Sequence, residues 1–207
     1  MSQDAEPVKT PIHAQLPNAL TVLRLILVPV FLVLMFIDPI TGFGWRLAGT
    51  IAFGVAILTD YFDGMLARRY NLVSDFGKIW DPIADKALTG AAFIVLSIFG
   101  ELPWWVTILI LVREWGITWM RVVMLKYAVM AAAPAGKLKT LMQSIALLMF
   151  LPFPIGQTLA PAPFWFWLGW LVMGTAFALT VITGVMYVFD ALRLRRQSGG
   201  GPKTDAS

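Results

Sequence analysis

Six long apolar stretches, separated by proline, glycine and charged residues, dominate this sequence of 207 residues. They cover residues 20–37, 47–67, 82–99, 102–124, 138–151 and 164–189. Each is close to the roughly 20 residues that a helix needs to cross a bilayer, although the fifth is short and could begin nearer Gly136. We therefore predict an all-α integral membrane protein with six transmembrane helices.

The composition agrees with this prediction and limits the chemistry. Only 14% of the residues are charged, whereas soluble domains average about 25%. There is no cysteine, so a disulfide framework and a thiolate metal site are both excluded. The one histidine, His13, cannot form a metal site by itself. Any bound metal must therefore be held by oxygen ligands.

The positive charges indicate an orientation in the bilayer rather than a nucleic-acid partner, because they lie mainly at the ends of the apolar stretches. If the N-terminus is cytoplasmic, the outside loops carry only Arg46. The inside segments carry Lys9, Arg68, Arg69, Lys78, Lys86, Lys126, Lys137, Lys139, Arg193, Arg195, Arg196 and Lys203. This bias predicts that both termini are cytoplasmic. We expect a cytoplasmic segment at 1–19, a membrane domain at 20–192 and a flexible cytoplasmic tail at 193–207.

Four aspartates near the ends of the second and third stretches are the strongest functional signal. An ionised side chain within a membrane helix is costly unless it is paired, binds a metal or lines a wet cavity. Asp60 and Asp63 are three residues apart, and Asp81 and Asp85 are four apart, so each pair shares one helical face. Interfacial solvation or pairing with Arg and Lys is the alternative, and it explains one such pair better than two.

The residues around the aspartates extend the pattern. All-oxygen coordination favours Mg²⁺ or Mn²⁺, and two such ions would suit displacement at phosphorus. On the first face, Gly64 and Ala67 would let a ligand approach the backbone, or would let two helices pack closely. Arg68 offers a planar fork for phosphate. Ser74 or Asp75 could cap the helix that carries the second pair.

The full pattern Asp60-x2-Asp63-Gly64-x2-Ala67-Arg68-x8-Gly77-x3-Asp81-x3-Asp85 resembles the signature of the CDP-alcohol phosphotransferases. The resemblance implies a six-helix membrane fold, often dimeric, with a polar cavity that opens to the cytoplasmic leaflet. It implies that the four aspartates bind two Mg²⁺ or Mn²⁺ ions and that Asp85 is also the general base. By the same resemblance, the CDP-lipid would be bound by Gly64, Ala67, Arg68, Ser74 and Gly77. Asn18, Thr21 and Arg24 recur every three residues at the start of the first helix and could line one side of the lipid-headgroup site, with helix capping and snorkelling as the alternative.

Other segments resemble one branch of that family, the bacterial phosphatidylglycerophosphate synthases. These segments are residues 16–24, 60–64, 80–86, 113–114 and 136–140, together with Arg121. The resemblance implies CDP-diacylglycerol as donor, sn-glycerol 3-phosphate as acceptor and the bacterial cytoplasmic membrane as location. A cardiolipin synthase of the same fold, or a synthase that uses inositol phosphate, is the alternative. An ion transporter would leave the fixed glycines and Arg68 unexplained.

Cations in the second half of the chain support a phosphorylated acceptor. Arg113 and Arg121 are eight residues apart, on roughly one face of a helix, and Lys137 and Lys139 follow after a loop. We predict that these four residues bind the acceptor phosphate, with Arg121 as the main contact. The alternatives are membrane anchoring for the lysines and, for Arg113, a structural pair with Glu114 or another helix.

Overall fold

A computed structural model describes residues 11–38, 43–70, 75–124, 134–153 and 163–198. Within these ranges the chain forms six helices and no strand. The helices are α1 (Pro11–Ile37), α2 (Phe43–Tyr70), α3 (Asp75–Ile98), α4 (Trp104–Met124), α5 (Pro134–Phe150) and α6 (Pro163–Ser198). The predicted all-α class is confirmed for the described part of the chain.

The helix boundaries follow local chemistry. Three helices begin at a proline, which has no N–H to lose and a backbone already set for the first turn. Helix α3 ends at Ile98, and the φ of 74° at Gly100 allows the N–H of Glu101 to bond the Leu96 carbonyl at 2.8 Å. Except for α4, the helices are longer than the apolar stretches because polar turns extend them. Thus α1 starts inside the predicted N-terminal segment, and α6 continues into the predicted tail.

Helix α3 is central, in contact with α1, α2, α4 and α5, while α6 packs against α4 and α5. The apolar core lies in one half of this bundle, at the end where α1 and α3 finish. Its largest members include Phe31, Phe53, Phe93, Leu96, Ile110, Leu147 and Met173. The buried polar side chains of the other half include Thr21, Arg24, Lys139, Gln143, Thr180 and Thr183. The bundle therefore has an apolar half and a polar half, and the aspartates belong to the polar one.

Two helical segments have the length and composition to cross a membrane. Ala19–Ile37 has a mean hydropathy of 2.7 and Phe164–Phe189 a mean hydropathy of 1.9. Only 22% and 33% of these segments are buried, so most of their apolar surface faces outward. Exposed apolar area on this scale is unusual for a soluble monomer. Among the described residues no other helix passes the same test, and Leu138–Phe150 is apolar but shorter.

A buried ion pair joins α2 to the segment after α3 at the apolar end of the bundle. Arg46 donates to both carboxylate oxygens of Glu101, at 2.6 and 2.8 Å, and its Nε donates to the Leu151 carbonyl at 3.0 Å. Its guanidinium carbon lies 5.2 Å from the centre of the Phe99 ring. The prediction that Arg46 lies in an outside loop was wrong. Arg46 belongs to the first turn of α2. Its side chain can be fully buried because Glu101 and the Leu151 carbonyl accept its hydrogen bonds.

We expect Glu101→Gln to destabilise the protein and to leave its substrate affinities unchanged. The substitution leaves a buried guanidinium without its counter-charge, which costs on the order of 3 kcal/mol. Thermal unfolding of the purified protein in lipid nanodiscs measures the loss. The double variant Arg46→Met with Glu101→Leu should recover much of it, because it removes both charges together. A double variant less stable than Glu101→Gln would contradict this account of the pair.

Candidate active site

The two motif helices place their aspartates at matching heights. Asp60 lies ten residues before the end of α2, and Asp85 lies ten residues after the start of α3. Because a helix rises about 1.5 Å per residue, both are about 15 Å from the end that joins the two helices. Asp63 and Asp81 are about 10 Å from that end by the same reasoning. The backbone therefore arranges four aspartates in two levels at one end of the bundle.

Helix α1 contributes a cation to this end. Arg24 is completely buried, and its NH1 lies 2.7 Å from Oδ1 of Asp60, whose side chain is 43% exposed. Thr21, one turn earlier on the same helix, is also buried. The ion pair joins α1 to the motif face of α2. It also fixes the direction of the Asp60 carboxylate and leaves part of its surface open to a ligand.

The Asp85 side chain lies where four helices meet. It is within electrostatic range of Arg24 on α1, Glu114 on α4 and Lys139 on α5, in addition to its neighbour Lys86. Arg24 thus lies close to both Asp60 and Asp85. Asp60 and Asp85, on the two helices that carry the motif, thus share Arg24 as a cationic neighbour.

A second polar cluster joins α4, α5 and α6 beside Asp85. Glu114 accepts hydrogen bonds from Lys139 Nζ and from Arg113 NH1, the latter at 2.9 Å. Arg113 NH2 donates to the Thr183 hydroxyl at 2.6 Å. A further hydrogen bond of 3.1 Å, from Gln143 to Thr180, continues the contact between α5 and α6. Both acceptor-site candidates in the described part, Arg113 and Lys139, are therefore paired with one carboxylate.

Several predicted site residues lie on described helices, although their side chains are outside the described part. They are Asn18 on α1, Asp63, Gly64, Ala67 and Arg68 on α2, Gly77 and Asp81 on α3, Arg121 on α4 and Lys137 on α5. Ser74 lies outside the described residues altogether. Among the described side chains, no three carboxylates or histidines come together, and that search includes neither Asp63 nor Asp81. The two-metal assignment stays a prediction.

Sequence reasoning gave no role to Glu114 beyond a partner for Arg113, and it did not single out Thr183. Their signal in the sequence is weak: Glu114 looks like a simple neighbour pair with Arg113, and Thr183 is one of several threonines in an apolar helix. Arg24 has a clearer signal, because it is a charge inside an apolar stretch, where a partner is required. Its partner, Asp60, is 36 positions away (60 minus 24) and becomes visible only in the fold.

Comparison with known proteins decides the family. A family model described as CDP-alcohol phosphatidyltransferase matches residues 14–186. This chain belongs to that family. The matched range includes the four aspartates, Arg24, the cluster around Glu114 and all six helices in part or in full.

Similar curated proteins carry one activity in their names. A "Probable phosphatidylglycerophosphate synthase" from Mycobacterium tuberculosis is 46% identical over 180 residues, covering 87% of this chain and 83% of the relative. A "CDP-diacylglycerol–glycerol-3-phosphate 3-phosphatidyltransferase" from Bacillus subtilis is 37% identical over 186 residues, covering 83% and 92%. One of the same name from Escherichia coli is 40% identical over 139 residues, covering 64% and 74%.

The donor atoms of this phosphatidyltransferase fit a hard divalent cation. The acidic groups at the site end of α2 and α3 are all aspartates, and the chain has no cysteine. Asp60 and Asp85 supply carboxylate oxygens from two helices, as Mg²⁺ and Mn²⁺ prefer. The basic side chains Arg24 and Lys139 are both within electrostatic range of Asp85, so anionic groups could be bound there while their charge is balanced.

Proposed function

We propose that this protein transfers a phosphatidyl group from CDP-diacylglycerol to sn-glycerol 3-phosphate, releasing CMP and forming phosphatidylglycerophosphate for phospholipid synthesis. The observation that carries the proposal is the convergence of motif aspartates with basic side chains from α1 and α5 at one end of the bundle. The names of the relatives, which share 37–46% of their aligned residues with this chain, support the same donor and acceptor.

We further propose that all six helices cross the cytoplasmic membrane of a bacterium, with both termini and the site cytoplasmic. The basic residues of the site end favour this orientation. At the opposite end, Trp104 and Trp105 start α4, and Trp165 and Trp167 start α6, all of them exposed. Exposed tryptophans are favoured at a membrane interface. A dimer, with a polar cavity in each subunit, is part of the same proposal.

The donor is held through its diphosphate. Asp60, Asp63, Asp81 and Asp85 would hold two Mg²⁺ or Mn²⁺ ions, which would offset the negative charge of the diphosphate. Arg68, on the face of α2 that carries Asp60, would bind a phosphate oxygen. The remaining donor contacts that we propose come from Asn18, Thr21, Gly64, Ala67, Ser74 and Gly77. The ion pair between buried Arg24 and partly exposed Asp60 fixes α1 against this face, so the lipid headgroup would contact a rigid surface.

The acceptor is oriented by cations, and its hydroxyl is activated by Asp85. Lys139, with Lys137 and Arg121 on neighbouring positions of α5 and α4, would bind the phosphate of glycerol 3-phosphate. The acceptor hydroxyl then attacks the phosphatidyl phosphorus as the bond to CMP breaks, and its proton passes to the Asp85 carboxylate. Lys139 is within electrostatic range of Asp85, which supports the placement of both beside one small molecule.

An acceptor screen tests the proposed function. Purified protein in vesicles with CDP-diacylglycerol and Mg²⁺ is offered glycerol 3-phosphate, phosphatidylglycerol, inositol phosphate or glycerol. CMP release and the mass of the lipid product are measured. We expect phosphatidylglycerophosphate from glycerol 3-phosphate and little product from the others. Cardiolipin formed from phosphatidylglycerol, with no product from glycerol 3-phosphate, would overturn the proposed acceptor.

Removal of a proposed acceptor contact should change the KM for glycerol 3-phosphate and not the KM for the donor. We expect Arg121→Ala to raise the KM for glycerol 3-phosphate about tenfold, because a charge-assisted phosphate contact contributes roughly 1.5 to 3 kcal/mol. The KM for CDP-diacylglycerol should change little. Arg195→Ala, which removes a cation near the end of α6, is the matched control. A rise in the donor KM alone would show that Arg121 does not bind the acceptor.

A further inference from the structure

Glu114 is a partly buried carboxylate that the proposed reaction does not use. Its side chain is 16% exposed, and it lies between the two cations of the cluster on α4, α5 and α6. Of these cations, Lys139 is only 3% exposed. An ammonium group this deeply buried is stable only if it is paired, and within the described part of the chain Glu114 is its hydrogen-bond acceptor.

The pairing leaves Lys139 able to bind a second anion. An ammonium group has three hydrogen-bond donors, and Glu114 accepts from one of them. The same ammonium lies within electrostatic range of Asp85, the proposed base. A phosphate bound by the remaining donors would thus be held near the atom that accepts the hydroxyl proton. Because Glu114 accepts a hydrogen bond from the Lys139 ammonium, Glu114 sets the direction in which Lys139 points.

Arg113 has a different place in the cluster. Its NH1 bonds Glu114, its NH2 bonds Thr183, and its Nε is buried with no hydrogen-bond partner in the described part. That nitrogen packs against α6 at Gly184, where an added methyl group would lie 3.4 Å from Nε and 3.1 Å from Cγ. Because both terminal nitrogens are bonded within the bundle, Arg113 is arranged to fix Glu114 rather than to extend toward a substrate.

We propose that Glu114 is a positioning residue for the acceptor: it holds the Lys139 ammonium toward the acceptor phosphate, and Arg113 and Thr183 hold Glu114. This inference rests on the proposed function and assigns within it a role to a carboxylate that does not touch substrate. It also predicts the opposite of what simple repulsion between the Glu114 carboxylate and the acceptor phosphate would give. If Glu114 only repelled the phosphate, its neutralisation would strengthen acceptor binding.

The central experiment compares Glu114→Gln with Glu101→Gln. Both replace a carboxylate that pairs with an arginine, but Glu101 lies at the opposite end of the bundle. We expect both variants to unfold at lower temperature than the wild type. Only Glu114→Gln should raise the KM for glycerol 3-phosphate, by about tenfold, with kcat changed much less. The KM for CDP-diacylglycerol should stay within about twofold of the wild type.

A second pair of variants serves if Glu114→Gln does not fold. Thr183→Val removes the hydroxyl that holds Arg113, whereas Thr180→Val removes a buried hydroxyl one turn earlier that bonds Gln143. We expect a rise of about threefold in the acceptor KM for Thr183→Val and none for Thr180→Val. In a Lys139→Met background, Thr183→Val and Glu114→Gln should add nothing further, because the group that they position is absent.

The outcomes separate this inference from the proposed function. If the wild type does not use glycerol 3-phosphate, the proposed function fails. If the wild type uses it, and Glu114→Gln lowers or leaves unchanged the acceptor KM, the positioning role is wrong while the function stands. Equal effects of Thr183→Val and Thr180→Val, or full effects of Glu114→Gln in the Lys139→Met background, would likewise overturn the positioning role.

Discussion

Asp60→Asn and Asp81→Asn should each reduce transfer by more than the roughly 10- to 100-fold typical of losing an outer-shell partner of a metal, because each removes one charged oxygen from the proposed cation site itself. Asparagine has the size of aspartate and can still accept a hydrogen bond from Arg24, so Asp60→Asn should fold and insert in the membrane. The defect should therefore appear in binding. Calorimetry with Mg²⁺ present should show loss of CDP-diacylglycerol affinity in step with loss of turnover.

The matched control is Asp38→Asn, at the other end of α1 and outside the proposed site. It should keep turnover close to the wild type. Higher Mg²⁺ concentrations should partly restore a variant that has only weakened a metal site. If Asp60→Asn keeps a substantial fraction of wild-type turnover at saturating Mg²⁺, Asp60 is not a ligand, and its role is limited to the pair with Arg24.

The sequence predicts the helices well because their signal is local. Each apolar stretch corresponds to one described helix, since a run of about 20 apolar residues has few other stable structures. The ends are less predictable. Helix α3 begins at Asp75, seven residues before the apolar stretch that starts at 82. Its first two turns carry charged and aromatic residues and are therefore not part of the apolar stretch. Hydropathy does not register such turns, although a capping residue before Asp75 points to them.

The shared faces of the aspartates were also predictable, because spacing within a helix is fixed by geometry. The pairings between helices were not. Glu101 and Arg46 are 55 residues apart, and Arg113 and Thr183 are 70 apart, so neither pair leaves a pattern in the sequence. Positive charge was used to predict orientation, and that reasoning placed Arg46 at a loop surface. The positive-inside rule applies to charges in solvent-exposed loops, so it does not apply to a charge that is buried with a partner.

The polar half of the bundle explains why such pairs accumulate near the site. A membrane helix bundle can bury charge only where another charge or a hydrogen bond compensates it. Arg24 with Asp60, and Lys139 and Arg113 with Glu114, meet this condition. The compensation fixes the side chains before substrates arrive, so the charges that we propose as phosphate contacts would need little rearrangement in the transition state. The Arg46–Glu101 pair uses the same principle for stability alone.

Asp85→Asn is expected to reduce transfer by about 10² to 10⁴-fold, the contribution typical of a general base. Two roles compete for this residue, because it is both the last aspartate of the motif and a candidate metal ligand. Asparagine keeps the size of the side chain and one oxygen acceptor, but it cannot take the hydroxyl proton. If Asp85 is mainly the base, donor binding survives and the chemical step fails.

Donor binding therefore distinguishes the two roles of Asp85. Calorimetry with Mg²⁺ should give a CDP-diacylglycerol Kd within a few-fold of the wild type for Asp85→Asn, in contrast to Asp60→Asn. The structure favours a difference between them, since Asp60 is paired with Arg24 whereas Asp85 lies beside Lys139, on the side where we place the acceptor. Loss of donor binding in step with turnover would assign Asp85 to metal ligation. Near-normal transfer by Asp85→Asn would remove the residue from the chemical step, and the proton acceptor would have to be sought elsewhere around the acceptor phosphate.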